Sequence, residues 1–252
     1  MSATVEKALQ IIEALSRSHE PVGVSQLGRQ LHLNKSTVFR LMDTLCQHGY
    51  ARKDMQTSGY QLTTKLWELG VGVLQQLTLR DVARPTMEAV TRETGETTML
   101  GIVQDREALI VEKVDPAAAA LQIASPIGTR VALHCSSIGR ALLAFQPDTF
   151  VEQAAGSLPR RTERTITARN VLNAELERVR SLGVAECVDE WAVGVSGLAA
   201  PIRDQSGRVV GSFCITGPTT RLTADRLPKL RLRAIDAAQE ISNQLGYRPN
   251  GR

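Results

Sequence analysis

The stretch NKSTVFRLMDTLCQHG, residues 34–49, decides the fold of the N-terminal part of this chain. Four apolar residues in it recur three and four positions apart, as they do on one face of a helix: Val38, Leu41, Met42 and Leu45. Asn34 is a residue type that caps helix N-termini, and Gly49 is the type that most often ends a helix. The stretch therefore predicts a helix with one buried face and one polar face.

Two shorter helices are predicted before this stretch. Residues 4–16 place apolar side chains at helical spacing, and Pro21 and Gly23 interrupt the pattern. Ser25 can cap a short second helix. Three consecutive helices, the third with a polar outer face, are typical of a helix-turn-helix.

A small hairpin is predicted directly after the third helix. Residues 50–52 and 60–62 are strand-like and flank the polar segment 53–59, which contains Gly59. A hairpin in this position is the wing of a winged helix-turn-helix. We expect this domain to occupy residues 1–64.

The polar face of the predicted third helix carries side chains suited to reading DNA. Its hydroxyl groups can bond to bases, and Arg40 can form two hydrogen bonds with guanine in the major groove. Arg52 and Lys53 lie where a wing meets phosphate groups. The alternative is a solvated helix face without a partner, because short polar motifs arise often by chance. The predicted DNA-contacting residues are Ser25, Lys35, Ser36, Thr37, Phe39, Arg40, Arg52 and Lys53.

The composition of the chain sets limits on its class. Of 252 residues, 42% are hydrophobic and 22% are charged, which is typical of a folded globular protein and excludes a disordered or fibrous one. The sequence has neither a signal-peptide pattern nor a long apolar run, so we expect a cytoplasmic protein without a membrane partner. The cysteines are far apart, which predicts free thiols and no metal site: Cys46, Cys135, Cys187 and Cys214.

A second domain of a different character is predicted beyond the hairpin. Residues 65–81 continue as an apolar-periodic helix without a flexible spacer, which predicts a linker helix. From residue 82 to 252, strands and helices mix, and the pattern favours an antiparallel central sheet with helices outside it, an α+β chain overall. The predicted strands are residues 97–103, 108–114, 121–123, 199–203 and 209–216, and the predicted helices are residues 137–145, 170–182 and 223–245.

The sequence resembles one family of bacterial transcriptional regulators, the IclR family, over nearly its whole length. The resemblance lies in residues 24–29, 33–41, 48–50, 59–62, 126–128, 133–144, 162–167 and 215–218. It implies a winged-helix DNA-binding domain, a linker helix, a GAF-like effector-binding domain and no enzymatic activity or cofactor. It also implies assembly as dimers, or dimers of dimers, on double-stranded operator DNA.

The resemblance also implies an effector site in the second domain. Its residues, carried over by position and joined by the start of the helix at residue 137, are Ile123, Val131, Ser137, Ile138, Gly139, Cys187, Asp189, Glu190, Gly197, Cys214 and Thr216. The chain departs from the family in having Cys187 where an acid is frequent, Cys214 where serine is common and Arg140 for a frequent lysine. The two cysteines predict a less polar cavity than usual, and Arg140 keeps the charge of a lysine but not its geometry.

The predicted helix at residues 137–145 suggests what the effector is. Backbone N–H groups of Ser137, Ile138 and Gly139 at a helix N-terminus can bind a carboxylate, so we expect a small organic acid. The alternative is ordinary helix capping by Ser136. Trp191 either stacks on the effector or fills core space.

A thiol-based sensor is the alternative to an effector-controlled regulator. Such a redox- or electrophile-sensing regulator would use Cys187 and Cys214. Both lie in apolar sequence contexts, where burial raises the pKa of a thiol and suppresses its reactivity. A cysteine hydrolase at His134 and Cys135 is excluded, because adjacent residues of an extended segment point to opposite faces.

Overall fold

The structure, a computed structural model, describes residues 3–18, 20–69, 78–117 and 125–248. The chain divides into two compact units, Met1–Leu77 and Thr78–Arg252, each with its own hydrophobic core. Within the described ranges, no helix has the length and apolar character needed to cross a membrane.

The first unit consists of three helices followed by a two-stranded sheet. Its elements are α1 (Ala3–Ser16), α2 (Val24–Gln30), α3 (Lys35–Gln47), β1 (Ala51–Lys53) and β2 (Tyr60–Leu62). The two strands are antiparallel, with Arg52 opposite Gln61. Ile11, Leu27 and Met42, one from each helix, are fully buried in a common core. The predicted winged helix-turn-helix is confirmed.

The ends of these helices follow the predicted signals with one exception. The side-chain oxygen of Asn34 accepts a hydrogen bond from the backbone N–H of Thr37 at 3.2 Å, and Gly49 has the left-handed φ of 74° expected after a helix. The predicted cap at Ser25 is wrong. The helix begins at Val24 after an extended Gly23, so Ser25 already lies in the first turn with an exposed side chain.

The predicted linker helix is only partly covered by the structure. Residues 65–69 are helical, and the segment up to residue 77 lies outside the described residues. Residues 78–81 belong to a longer helix, α4 (Thr78–Thr94), which begins the second unit earlier than the predicted boundary at residue 82.

Helix α4 was not predicted as an element of the second unit, and it contains Pro85 in its interior. Pro85 is exposed, so the hydrogen bond that its missing N–H cannot form lies on the side of the helix away from the core. The packed side faces the sheet and consists of Leu79, Ala83, Met87 and Val90.

The second unit is built on a six-stranded sheet. Its strands are β3 (Thr97–Gln104), β4 (Glu107–Val114), β5 (Arg130–Ala132), β6 (Ala185–Val188), β7 (Val195–Arg203) and β8 (Val209–Pro218). The spatial order is β5-β4-β3-β8-β7-β6, and all neighbours are antiparallel. The other helices are α5 (Ser137–Leu143), α6 (Asp148–Ala154), α7 (Arg169–Leu182) and α8 (Leu227–Gln244).

Helices cover both faces of this sheet, as predicted. Along β8, Phe213 and Ile215 face the core with α4 and α8, whereas Cys214 faces the core with α5 and α7. This alternation is the period of two that a strand buried on both faces requires. The predicted strand at residues 121–123 lies outside the described residues, and β5, β6 and α6 were not predicted.

Candidate functional site

The outer face of α3 forms the first candidate site. Lys35, Ser36 and Arg40 are exposed, Thr37 is half-buried, and Phe39 keeps 56% of its surface exposed. The exposed Phe39 ring is available for apolar contact with a thymine methyl group. Within the described residues no carboxylate pairs with Arg40, so its guanidinium is free to bond to a base.

The wing places the two predicted cations differently. Lys53 is exposed, with its ammonium 6.0 Å from the centre of the Tyr60 ring. Arg52 is also exposed, but its guanidinium lies against the cross-strand Gln61, whose amide oxygen accepts from Nε and Nη2 at 3.0 Å each in its favourable orientation. Lys53 is therefore the more available of the two for a phosphate group.

A groove beside α3 adds a residue that the sequence analysis did not single out. The groove, about 260 Å³ in volume, lies between α1 and α3, and it brings Lys7 next to Arg40. Its other lining residues are Thr4, Thr37, Leu41 and Thr44. Helical spacing within α1 or α3 alone carries no signal for this pairing.

The second candidate site is a cavity between the sheet and α5. Its volume is about 50 Å³, which is room for about three to five water molecules. The lining residues are Met99, Ile110, Ser125, Val131, Ser136, Ser137, Ile138, Cys187, Trp191, Val195, Ser196, Gly197, Cys214 and Thr216. None of these lining residues is charged.

Hydroxyl groups and one missing side chain shape the polar end of the cavity. Ser137 Oγ lies 3.4 Å from Cys214 Sγ, and Thr216 Oγ1 donates to the carbonyl oxygen of Ser196 at 2.8 Å. A Cβ at Gly197 would lie 2.7 Å from Ser137 Oγ and 3.5 Å from Thr216 Oγ1. Glycine at this position therefore keeps open the space between the two hydroxyls.

The N-terminus of α5 meets the cavity, but with fewer free donors than predicted. Ser136 Oγ accepts from the N–H of Gly139 at 3.0 Å, and its carbonyl accepts from the N–H of Arg140 at 2.9 Å. The expectation that Gly139 offers a donor is therefore wrong, and Gly139 is absent from the lining. Helix geometry leaves the N–H groups of Ser137 and Ile138 without intrahelical acceptors.

The predicted site residues Asp189 and Glu190 do not reach the cavity. Asp189 has a left-handed φ of 59°, and its carboxylate accepts from the N–H of Gly194 at 2.8 Å and the hydroxyl of Thr219 at 2.6 Å. The Thr219 hydrogen bond lowers the pKa of Asp189. This carboxylate holds a loop together.

Glu190 is committed to the buried Arg140. Arg140 Nη2 donates to Glu190 Oε2, Nη1 lies 3.5 Å from Glu175, and Nε donates to the carbonyl of His134 at 2.9 Å. Burial raises the pKa of Glu190. The arginine that replaces a lysine thus fastens α5 to the loop after β6 through its several donors, which a lysine would not reproduce.

The remaining predicted residues divide as follows. The structure brings seven of them together around the cavity: Val131, Ser137, Ile138, Cys187, Gly197, Cys214 and Thr216. Ile123 lies outside the described residues. Trp191, for which stacking on an effector and filling of the core were both open, lines the cavity.

The two candidate sensor thiols are buried in the wall of this cavity. Burial raises the pKa of Cys214 to about 12 and the pKa of Cys187 well above its ordinary value. Both groups are therefore protonated at neutral pH, whereas the thiolate is the reactive form. The geometry gives no support to the redox-sensing alternative.

Models of two protein domains match the chain in order. Residues 4–55 match the IclR helix-turn-helix domain, and residues 71–243 match the bacterial transcriptional regulator IclR C-terminal domain. The chain is 34% identical over 247 residues to the HTH-type transcriptional regulator KdgR of Escherichia coli K12, covering 97% of this chain and 93% of that protein. It is 32% identical over 250 residues to the DNA-binding transcriptional repressor YiaJ of the same strain, covering 98% and 89%.

Solved structures resemble both units at once. The Thermotoga maritima IclR structure has a TM-score of 0.82 at 27% identity, with 98% of this chain and 100% of that chain covered. An IclR homologue from Microbacterium hydrocarbonoxydans, solved in complex with 4-hydroxybenzoate, has a TM-score of 0.85 at 25% identity, with 96% and 99% covered.

Proposed function

The chain belongs to the IclR family of bacterial transcriptional regulators, and from this we propose that it controls catabolic genes in response to a small organic acid. Like its relatives, it is a DNA-binding regulator and not an enzyme. The proposed effector site is the cavity of the second unit, and the proposed reading elements are α3 and the wing.

The polar groups of the cavity are the observation that supports an acid as the effector. Ser137 contributes a hydroxyl, and the first turn of α5 contributes two N–H groups that lack intrahelical acceptors, whereas the Thr216 hydroxyl already donates to the carbonyl of Ser196. Donors without a neighbouring carboxylate favour an anion, because hydrogen bonds to a charged oxygen are the stronger ones. The frequent family acid is replaced here by Cys187, so the wall carries no charge that repels a carboxylate.

The homologue that binds 4-hydroxybenzoate supports the same chemical class. Apolar lining residues such as Val131 and Ile138 suit the body of such a molecule, and the Ser137 hydroxyl suits its carboxylate.

Control of DNA binding follows from linkage. An effector that binds one arrangement of the second unit more tightly shifts the population toward it, and the affinity for operator DNA changes by the same coupling free energy. We propose that two copies place their winged helices on two operator half-sites, as a dimer or a dimer of dimers. Residues 1–75 alone should then bind operator DNA much more weakly than the full chain.

A thermal-shift screen of carboxylic acids tests the effector proposal. We expect one or more acids to raise the melting temperature, because a ligand that binds only the native state stabilises it. The matching amides and methyl esters should do so much less. Ser137→Ala and Ile138→Trp should abolish the shift.

A matched control separates loss of the site from loss of stability. Ser242 is as buried as Ser137 but lies on α8, outside the cavity lining, where its hydroxyl donates to the carbonyl of Ala238. Ser242→Ala should lower the melting temperature and leave the acid-induced shift intact. Acids whose shift survives both Ser137→Ala and Ile138→Trp bind elsewhere and refute the proposed site.

A further inference from the structure

A cationic side chain, Arg161, packs against Trp191, one of the residues that line the cavity. Trp191 lines the cavity, and the guanidinium carbon of Arg161 lies 3.7 Å from the centre of the indole ring. This is a close cation–π contact, well inside the distance of about 6 Å at which such contacts are attractive.

Hydrogen bonds fix the segment that carries Arg161 against the loop that carries Trp191. Thr162 Oγ1 donates to the carbonyl of Asp189 at 2.7 Å, and Thr165 Oγ1 donates to the carbonyl of Glu190 at 2.8 Å. The two residues directly before Trp191 are therefore tied to residues on the C-terminal side of Arg161. The indole position depends on this strap, defined as residues 159–165.

The charge of Arg161 is available to the cavity. Among the described residues no carboxylate pairs with Arg161, whereas Arg164 of the same strap lies 3.9 Å from Asp189. The buried Arg140 is already neutralised by Glu190 and Glu175. Arg161, an exposed side chain in contact with the Trp191 ring, thus keeps a charge that no acid among the described residues neutralises.

We propose that Arg161 is a positioning residue for effector binding: it fixes the Trp191 indole as a wall of the cavity and gives that wall a positive potential that favours an anionic ligand. This inference rests on the proposed function. It assigns selectivity for acids partly to a residue that does not touch the ligand.

The chain is well suited to a fluorescence test, because it has two tryptophans. The other one, Trp67, is 71% exposed in the first unit, so in a Trp67→Phe background the emission reports Trp191 alone. Acrylamide quenching then measures how well the indole is covered. Titration with 4-hydroxybenzoate, and with the acids found in the thermal-shift screen, measures affinity.

Three substitutions of Arg161 separate its packing from its charge. Arg161→Ala removes both, so quenching should rise and the Kd for acids should increase about two- to thirtyfold. Arg161→Met keeps a long apolar side chain over the ring, so quenching should stay near that of the parent while acid affinity falls. Arg161→Lys keeps the charge and should recover most of the acid affinity.

Arg160→Ala is the matched control, because Arg160 is exposed on the same strap and its guanidinium bonds only locally, to the carbonyl of Glu163 at 3.3 Å. It should change neither quenching nor affinity.

If Arg161→Ala leaves both readouts unchanged while acids still bind, this inference is wrong and the proposed function stands. If Arg161→Met binds acids as tightly as the parent, the electrostatic role is wrong. If no acid binds the parent protein, the proposed function falls, and this inference with it.

Discussion

Replacing Gly197 with alanine is the most direct test of the cavity as an effector site. The added Cβ would lie 2.7 Å from Ser137 Oγ, closer than such atoms approach, and 3.5 Å from Thr216 Oγ1. Rotation of the small Ser137 hydroxyl relieves the contact, so we expect folding with a loss of about 1 kcal/mol, the low end of the cost of overpacking.

The effect on the ligand should be much larger than the effect on stability. The methyl group occupies part of a cavity of about 50 Å³ and turns the Ser137 hydroxyl away from a bound carboxylate. Loss of one hydrogen bond to a charged group costs about 1.5–3 kcal/mol, which is about a 10- to 150-fold increase in Kd.

Calorimetric titration with the acids found in the screen measures this change. Operator affinity without acid, measured by gel shift, should be unchanged, because the substitution lies in the second unit. Gly156→Ala is the control, since Gly156 is exposed, lies outside the cavity lining and has only Gln153 carbonyl oxygen within 3.2 Å of the added Cβ. Acid affinity that survives in the Gly197→Ala protein would refute the assignment of this cavity.

Four further predictions concern the two units separately. Arg40→Ala should weaken operator binding by about 1–3 kcal/mol and relax the preference at one base position, and equal losses on operator and random DNA would exclude base reading. Lys53→Ala should weaken binding to all sequences and reduce the slope of log affinity against log salt by about one; an unchanged slope would remove Lys53 from the interface. Burial raises the pKa of Cys214 to about 12 from 9.0, so above about pH 9 the unfolded chain loses the thiol proton first, and stability falls by up to about 1.4 kcal/mol per pH unit. Urea denaturation of Cys214→Ala should show a flatter alkaline limb, and an identical limb would contradict the pKa shift. A fragment of residues 78–252 should melt at a higher temperature than one of residues 82–252, which lacks a buried leucine and an ion-paired arginine; equal melting would contradict the observed boundary.

Local signals were sufficient for the first unit. The Asn34 cap, the left-handed Gly49 and the spacing of Val38, Leu41 and Met42 are properties of neighbouring residues, and each is found as predicted. The error at Ser25 has the same origin, because Gly23 starts the turn and a serine two residues later looks like a cap in sequence alone.

Tertiary packing decides what the sequence pattern missed in the second unit. Helix α4 tolerates Pro85 because the proline faces solvent and the opposite side of the helix packs on the sheet. A buried ion pair adds to this packing, since Arg80 and Arg84 of α4 both bind Glu112, whose side chain is 1% exposed. Residues 28 and 32 positions apart in the chain carry no periodic signal of their pairing.

The cavity shows most clearly what sequence patterns cannot predict, because its residues follow from resemblance to the family and not from their spacing. Position in a family carries over where the backbone dictates the contact, as at Gly197, whose missing Cβ leaves the space beside Ser137. This carry-over by position fails where a side chain forms a stronger interaction with another residue. Glu190 pairs with Arg140, a residue that stands where the resemblance implies a frequent lysine. Arg161 is a similar case, since the resemblance did not include it and its stacking on Trp191 connects it to the cavity. Selectivity among related regulators should therefore depend on such contacts behind the cavity wall as well as on the lining itself.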